Sequence, residues 1–189
     1  MARPQSISEE EMSLRLLRTF RRKGYDATSI ADLAKDTGLA KAGLYHRFPG
    51  GKREMAESVM DDLKHWMSMR VLEPLHAPGE VRAQLEQMVE MLKQLYGNGE
   101  SPCLIGLFSM GEGLELFQQR LEGALLALQK AIAVALVRGG VPADEASQRA
   151  EDAVIRVQGA LVLARAQNDP GPFLRTMERL ADDLLRGYE

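Results

Sequence analysis

The chain has one cysteine, Cys103, three histidines and only 5 % aromatic residues. A single cysteine cannot close an internal disulfide, so the sequence reads as cytoplasmic rather than secreted. His46, His65 and His76 form no ligand cluster. Asp61 and His65 share a helix face four residues apart, a pair more often solvated than metal-binding. There is no Gly-rich phosphate loop, no triad spacing and no CxxC, so the expectation is no enzyme, no metal and no cofactor. No run approaches ~18 apolar residues, and the N-terminus is polar, which argues against a signal peptide and a membrane span. Nor is there any long Val/Ile/Thr alternation of the kind strands need.

What remains favours helices. Hydrophobic residues make up 45 % and charged residues 27 % of 189 positions, with Ala, Leu, Met, Glu, Gln and Arg, all strong helix formers, in abundance. The spacing predicts an all-α chain of about nine helices. Ser8 to Glu11 reads as a capping box opening the first helix, which Gly24 closes. Thr28-Ser29 opens a second, ending at Thr37-Gly38, and a short third spans about Ala40 to Phe48. A fourth is expected from Lys52 to about Leu72, where Pro74 and Pro78-Gly79 should break it. Further helices are read at about 80–96, 103–112, 115–138, 143–168 and 171–187. Net charge of −3 hides an asymmetry: residues 1–53 carry +5 and the rest −8. A basic head on an acidic body suggests that the head alone meets a polyanion. The division expected is 1–52 for a three-helix helix-turn-helix domain and 53–189 for a helical effector-binding and dimerisation domain.

Within Thr28 to Phe48, two short helices are joined by a three-residue turn. Ala34 is small where they would cross, Gly38 sits where the turn needs a left-handed backbone, and Leu44 plugs the second helix onto the first. Gly24-Tyr25, Thr28-Ser29-Ile30, Asp32-Leu33-Ala34, Gly38-Leu39, Gly43-Leu44-Tyr45-His46, Phe48 and Lys52 together closely resemble the DNA-binding domain of the tetracycline-repressor (TetR) family. The resemblance covers about residues 8–70, with a Pro49-Gly50-Gly51 loop one residue longer than the commonest family form. It implies a bacterial transcription regulator whose third helix enters the major groove of a double-stranded DNA operator. Thr28 and Ser29 would offer hydroxyls and N–H groups to a phosphate. Lys41, Ala42 and Gly43 would begin the recognition helix, where small residues allow close approach and Lys41 could donate to guanine. Tyr45 and His46 fall where the family touches phosphate or base edges, although Tyr45 also reads as a packed ring with a wet hydroxyl. Lys52 would pair with a backbone phosphate, and Leu44 and Phe48 read as core.

In the body, Ala150, Val154, Val157, Leu161 and Ala164 repeat at 4-3-4-3 spacing, and Met177, Leu180 and Leu184, after Phe173, do the same. Such stripes read either as an internal seam or as a four-helix homodimer interface, and the family resemblance favours the dimer. Methionines concentrate between 55 and 110 with aromatics among them. They read as a Met-rich core or as a pocket for a small hydrophobic effector, lined by Met60, Trp66, Met67 and Met88 on one side. Tyr96, Cys103, Leu107 and Phe108 would line the other. The segments Ser101-Pro102-Cys103-Leu104 to Glu112 and Gly159 to Ala166 also resemble a TetR branch that includes sensors of small aromatic compounds and of reactive electrophiles. Cys103 is therefore read as a packing thiol, a pocket-lining residue or an electrophile sensor. The function expected is a ligand-responsive repressor, a homodimer on a palindromic operator. The rival is a helical ligand-binding or structural dimer that has lost DNA binding.

Overall fold

The computed structural model describes residues 7–188, and among these the chain is all-α with no strand. Helix α1 (Glu9–Lys23) starts on Ser8, whose hydroxyl accepts the Glu11 N–H at 3.1 Å. The Glu11 carboxylate does not reach back to complete the box; it accepts from Arg15 Nε at 2.7 Å. Gly24 closes the helix at φ 75°. Helix α2 (Ile30–Thr37) has the complete box, with Ser29 and Asp32 bonding one another's backbone N–H. Helix α3 (Lys41–Arg47) follows, then α4 (Gly51–Met67).

The expected break at Pro74 does not occur. A π-helical segment, Ser68–Leu72, leads from α4 straight into α5 (Glu73–His76), with Pro74 in the first turn of α5. Proline lacks an N–H and its ring collides with the carbonyl one turn back; the wider π turn takes up that misfit. The rod ends at Ala77, extended at ψ 152° as a residue before proline prefers.

Helix α6 (Val81–Leu95), α7 (Leu104–Phe108), α8 (Gly111–Arg138), α9 (Ala143–Gln167) and α10 (Gly171–Leu185) complete the body. Counted with α4 and α5 as one rod, the described residues form nine helices. The expected 103–112 helix is shorter, and α8 begins four residues before the expected 115. The glycines between them explain this. A Cβ at Gly113 would lie 3.2 Å from Tyr25 Cβ and 3.1 Å from the Phe108 carbonyl, so a larger residue would push the start of α8 outward by a few tenths of an ångström.

Two apolar cores result. The body core joins Leu85, Met88 and Leu92 of α6, Ile132 and Leu136 of α8, and the inner faces of α9 and α10. It takes in all of the stripe expected at a dimer interface except Val154, which lines a small cavity beside it. Ala150, Val154, Val157, Leu161, Ala164, Met177, Leu180 and Leu184 are all buried inside one subunit, none more than 8 % exposed. Within the subunit they form an internal seam: the alanines let α9 approach α8 and α10 closely, and both partners come from the same chain. The second core belongs to the head, yet it extends past residue 52. Met55, Ala56 and Val59 of α4 join it, and so do Leu104, Phe108, Phe117 and Leu121 of α7 and α8.

Candidate nucleic-acid interface and effector cavity

The helix-turn-helix is positioned by α1. Arg15 Nη1 donates to the Thr37 carbonyl at 3.1 Å, satisfying an open C-terminal carbonyl of α2. Thr19 Oγ1 donates to Asp36 at 2.6 Å and Arg22 pairs with the same carboxylate. Lys23 Nζ lies 2.6 Å from Asp32. The hydrogen bond from Lys23, then those from Ser29, hold the Asp32 carboxyl far below its ordinary range; those from Thr19 and Arg22 lower Asp36 in the same direction. These polar staples were not foreseen, although acids on α2 facing bases on α1 carried the signal. The turn then follows from Gly38, at φ 75° and ψ 11°, a left-handed conformation that costs glycine nothing.

Only Leu44 of α3 is fully buried, so the rest of this helix is available. Lys41, Ala42, Gly43, Tyr45 and His46 are all exposed, and Tyr45 keeps 48 % of its surface open. Phe48 is half-buried against the head core. Arg47 is drawn aside by Glu9 at 3.5 Å.

Two expected contacts read differently in three dimensions. Thr28 is buried, its hydroxyl donates to the Gly24 carbonyl at 2.5 Å, and its N–H to Tyr25. It is a structural threonine, and only exposed Ser29 remains at that helix start, its hydroxyl engaged with Asp32. Lys52 is half-buried in a joint between head and body. Its ammonium lies 4.0 Å above the Tyr25 ring, donates to the Tyr25 carbonyl at 3.2 Å and stands 3.9 Å from Glu112 of α8. Beside it, Gly113 N–H donates to Asp26 at 3.3 Å, so the start of α8 is clasped by the α1–α2 loop.

The expected effector residues divide between the two cores. Met60, Leu107 and Phe108 belong to the head side; Phe108 packs with Phe20, Tyr25 and Phe117 at centroid distances of 5.6 to 5.7 Å. A Met- and aromatic-rich composition points to apolar packing but cannot say against which core. Trp66 and Met67 lean on the body core from outside. A small cavity does exist there, of about 20 Å³, with Met88 and Tyr96 in its wall. Its other lining residues, Leu92, Leu128, Ile132, Ala153, Val154, Val157, Gln158 and Leu180, were not anticipated as such. Cys103 stands just behind this wall, buried, accepting from Tyr96 Oη at 3.6 Å and Gln158 Nε2 at 3.4 Å. Burial pushes the Tyr96 phenol well above its ordinary pKa, so it stays a neutral donor. Among the described residues no three His, Cys, Asp or Glu side chains gather as a metal site, and no helix is long and apolar enough to cross a membrane.

Comparison with known proteins agrees with this arrangement. Residues 16–59 match the family described as bacterial regulatory proteins, tetR family, and residues 79–179 match the C-terminal domain of LmrA/YxaF-like transcriptional regulators. An uncharacterized HTH-type transcriptional regulator of Mycobacterium tuberculosis is 25 % identical over 186 residues, 93 % of each chain. A TetR transcriptional regulator from Legionella pneumophila has the same fold, with a TM-score of 0.79 at 18 % identity over 95 % of this chain and 98 % of that one. So has a cysteine mutant of the TetR family regulator CifR bound to 26-bp operator DNA, with a TM-score of 0.75 at 17 % identity over 95 % and 98 %. One match lies on the helix-turn-helix and the other spans most of the body, and the chain belongs to the TetR family of transcriptional regulators.

Proposed function

We propose that the chain is a ligand-responsive repressor that binds a palindromic operator as a homodimer and is released by a small hydrophobic effector. The observation that carries this reading is the outer face of α3. Lys41, Ala42, Gly43, Tyr45 and His46 are free of intramolecular ties, on a helix that buries one leucine and is otherwise held out from the molecule. Small residues at its start admit a groove edge, Lys41 suits guanine acceptors, and Tyr45 and His46 suit phosphate or base edges. Ser29 adds a polar contact, and Lys52 adds another when a phosphate displaces Glu112.

With the 4-3-4-3 stripe consumed inside the subunit, the outer face of α9 takes the dimer role. Ile155 and Val162 are 60 % and 67 % exposed, and a Cβ placed on Gly159 between them would meet no neighbouring element within 4 Å. A two-fold partner laid on that stripe would remove its apolar surface from water. The cavity beside Tyr96 has room for about one water, so an apolar effector must spread α6, α8 and α9 to enter. Phe117 and Leu121, on the same α8, sit in the head core, which gives that movement a route to α3. A dimer then loses the ~34–36 Å spacing that successive half-sites require.

DNA fragments selected from a random pool by the purified protein should share a two-fold sequence. Tyr45→Ala and Lys41→Ala should each weaken binding roughly tenfold or more with unchanged melting. Wild-type affinity in both variants removes this assignment of α3.

A further inference from the structure

Helix α1 has a second face that the head uses only through Leu17, half-buried at the edge of its core. Its core face is Met12, Leu16, Thr19 and Phe20, all buried. Leu14, Leu17, Arg18 and Arg21, spaced at three, four and seven residues, point instead toward the segment Glu100–Pro102 of the body. Between them is an open groove of about 350 Å³, within the ~300–1,000 Å³ range of small-molecule sites.

The chemistry of the groove is unbalanced. Arg21 Nε is buried with no hydrogen-bond partner. Arg22 on the rim is already paired with Asp36. The Arg21 guanidinium lies near the Tyr96 hydroxyl and the Cys103 thiol, neither of which neutralises it, and desolvation lowers its pKa. Glu100 lines the groove but is not paired with Arg21, and a half-buried guanidinium with no paired carboxylate is costly to maintain, because its lost hydration is not replaced. An anion delivered from solution would replace it, with a planar carboxylate fitting the guanidinium fork. The remaining wall is apolar: Leu14 is 42 % exposed there, beside Leu17 and Pro102.

We propose that this groove is a small-molecule site, separate from the apolar cavity, for a small organic acid. Its carboxylate is held by Arg21 and Arg18 and its hydrocarbon by Leu14, Leu17 and Pro102. Glu100 at the rim disfavours dianions and leaves room for one negative charge. The ligand bridges α1 of the head and the loop that precedes Cys103, so its occupancy stiffens the head–body junction. The inference stands apart from DNA binding, since the ligand itself is what is measured.

The test uses the full chain with octanoate, octan-1-ol and sodium sulfate as probes, read by melting temperature and calorimetric titration. Octanoate should raise the melting temperature with concentration, while octan-1-ol leaves it unchanged and sulfate acts more weakly. Arg21→Met should melt no lower than wild type, since it removes an uncompensated charge and keeps the stem. It should bind octanoate about tenfold or more weakly, the scale of a lost charge-assisted pair. Arg18→Gln, on the exposed rim where folding is not at risk, should weaken it by a smaller factor. No shift with octanoate overturns the proposal, as does an equal shift in Arg21→Met. An equal shift with octan-1-ol or sulfate overturns the acid-plus-hydrocarbon chemistry.

Discussion

The head and the body are held together by different forces. The body core is aliphatic, with alanines on α9 letting long helices meet closely and, among the described residues, one ring-on-ring pair, Tyr96 on Phe173 at 5.9 Å. The head packs Phe20 and Tyr25 against Phe108 and Phe117 and adds the polar staples from α1 to α2. Three short helices have too little apolar area for a core of their own, more so when one must leave its outer face bare for DNA. The head meets this shortfall by taking Leu104, Phe108, Phe117 and Leu121 from the body. A core shared in this way is also a mechanical link. Whatever displaces α7 or the start of α8 must disturb the packing beneath the helix-turn-helix.

The sharpest way to break this comparison is Phe108→Ala. The ring is fully buried, and its loss should cost about 3–5 kcal/mol. Denaturant melts should show the loss, and amide exchange should accelerate in α1 although the residue is in α7. Exchange that accelerates only in α8 and α9 would mean that the head does not depend on the borrowed ring. Next come two adjacent residues on α9. Leu161→Ala should destabilise the subunit by about 2–4 kcal/mol, as a buried seam position must. Val162→Glu, on the exposed face, should leave the fold of the isolated subunit within about 0.5 kcal/mol while sedimentation shows a monomer. A stable dimer in Val162→Glu would move the two-fold elsewhere.

The α9 residues show what a sequence can and cannot convey. The spacing of Ala150, Val154, Val157 and Leu161 correctly marked one buried stripe, but periodicity is the same whether the covering helix is from the same chain or another. Ile155, Gly159 and Val162 form a sparser row that no heptad count would favour. The helix-turn-helix was legible almost to the residue, because caps and turn chemistry are local: Ser29, Asp32 and Gly38 act on their own neighbours. Thr28 was misread because its hydroxyl has a local alternative, the carbonyl four residues back, that competes with any external phosphate. Lys52 depends on Glu112, sixty residues away, and Arg21 on having no paired carboxylate among the described residues, although Glu100 lines the same groove. Neither fact is written in local pattern.

A smaller effect is expected at the joint between the two regions. Glu112 is 59 % exposed and shares Lys52 only at 3.9 Å, so the pair is worth under about 1 kcal/mol. Glu112→Gln should therefore leave the melting temperature almost unmoved. If Lys52 must turn from Glu112 to a phosphate, the variant should bind DNA tighter, by less than about fivefold, on any sequence. Unchanged or weaker affinity would keep Lys52 as a purely structural lysine of the joint.

The smallest effect lies in the staples themselves, and its sign can be worked out. Asp32 has a folded pKa depressed from 3.8 by Lys23 and Ser29. Depression means that folding favours the carboxylate. The stabilisation is therefore complete above the unfolded value and is lost as pH falls below about 3.8 toward the folded one. Asp36, lowered by Thr19 and Arg22, acts in the same direction. Asp32→Asn keeps the shape of the cap but cannot titrate. Above pH 5 the variant should be slightly less stable than wild type, and the two curves should converge as acid protonates Asp32. The change should appear as loosened exchange in α2 with no difference between the two proteins in α9, whose own carboxylate staple to α10, Arg156 with Asp183, is present in both. A gap that widens in acid, or that is independent of pH, would mean that the head is held by its borrowed aromatic rings alone.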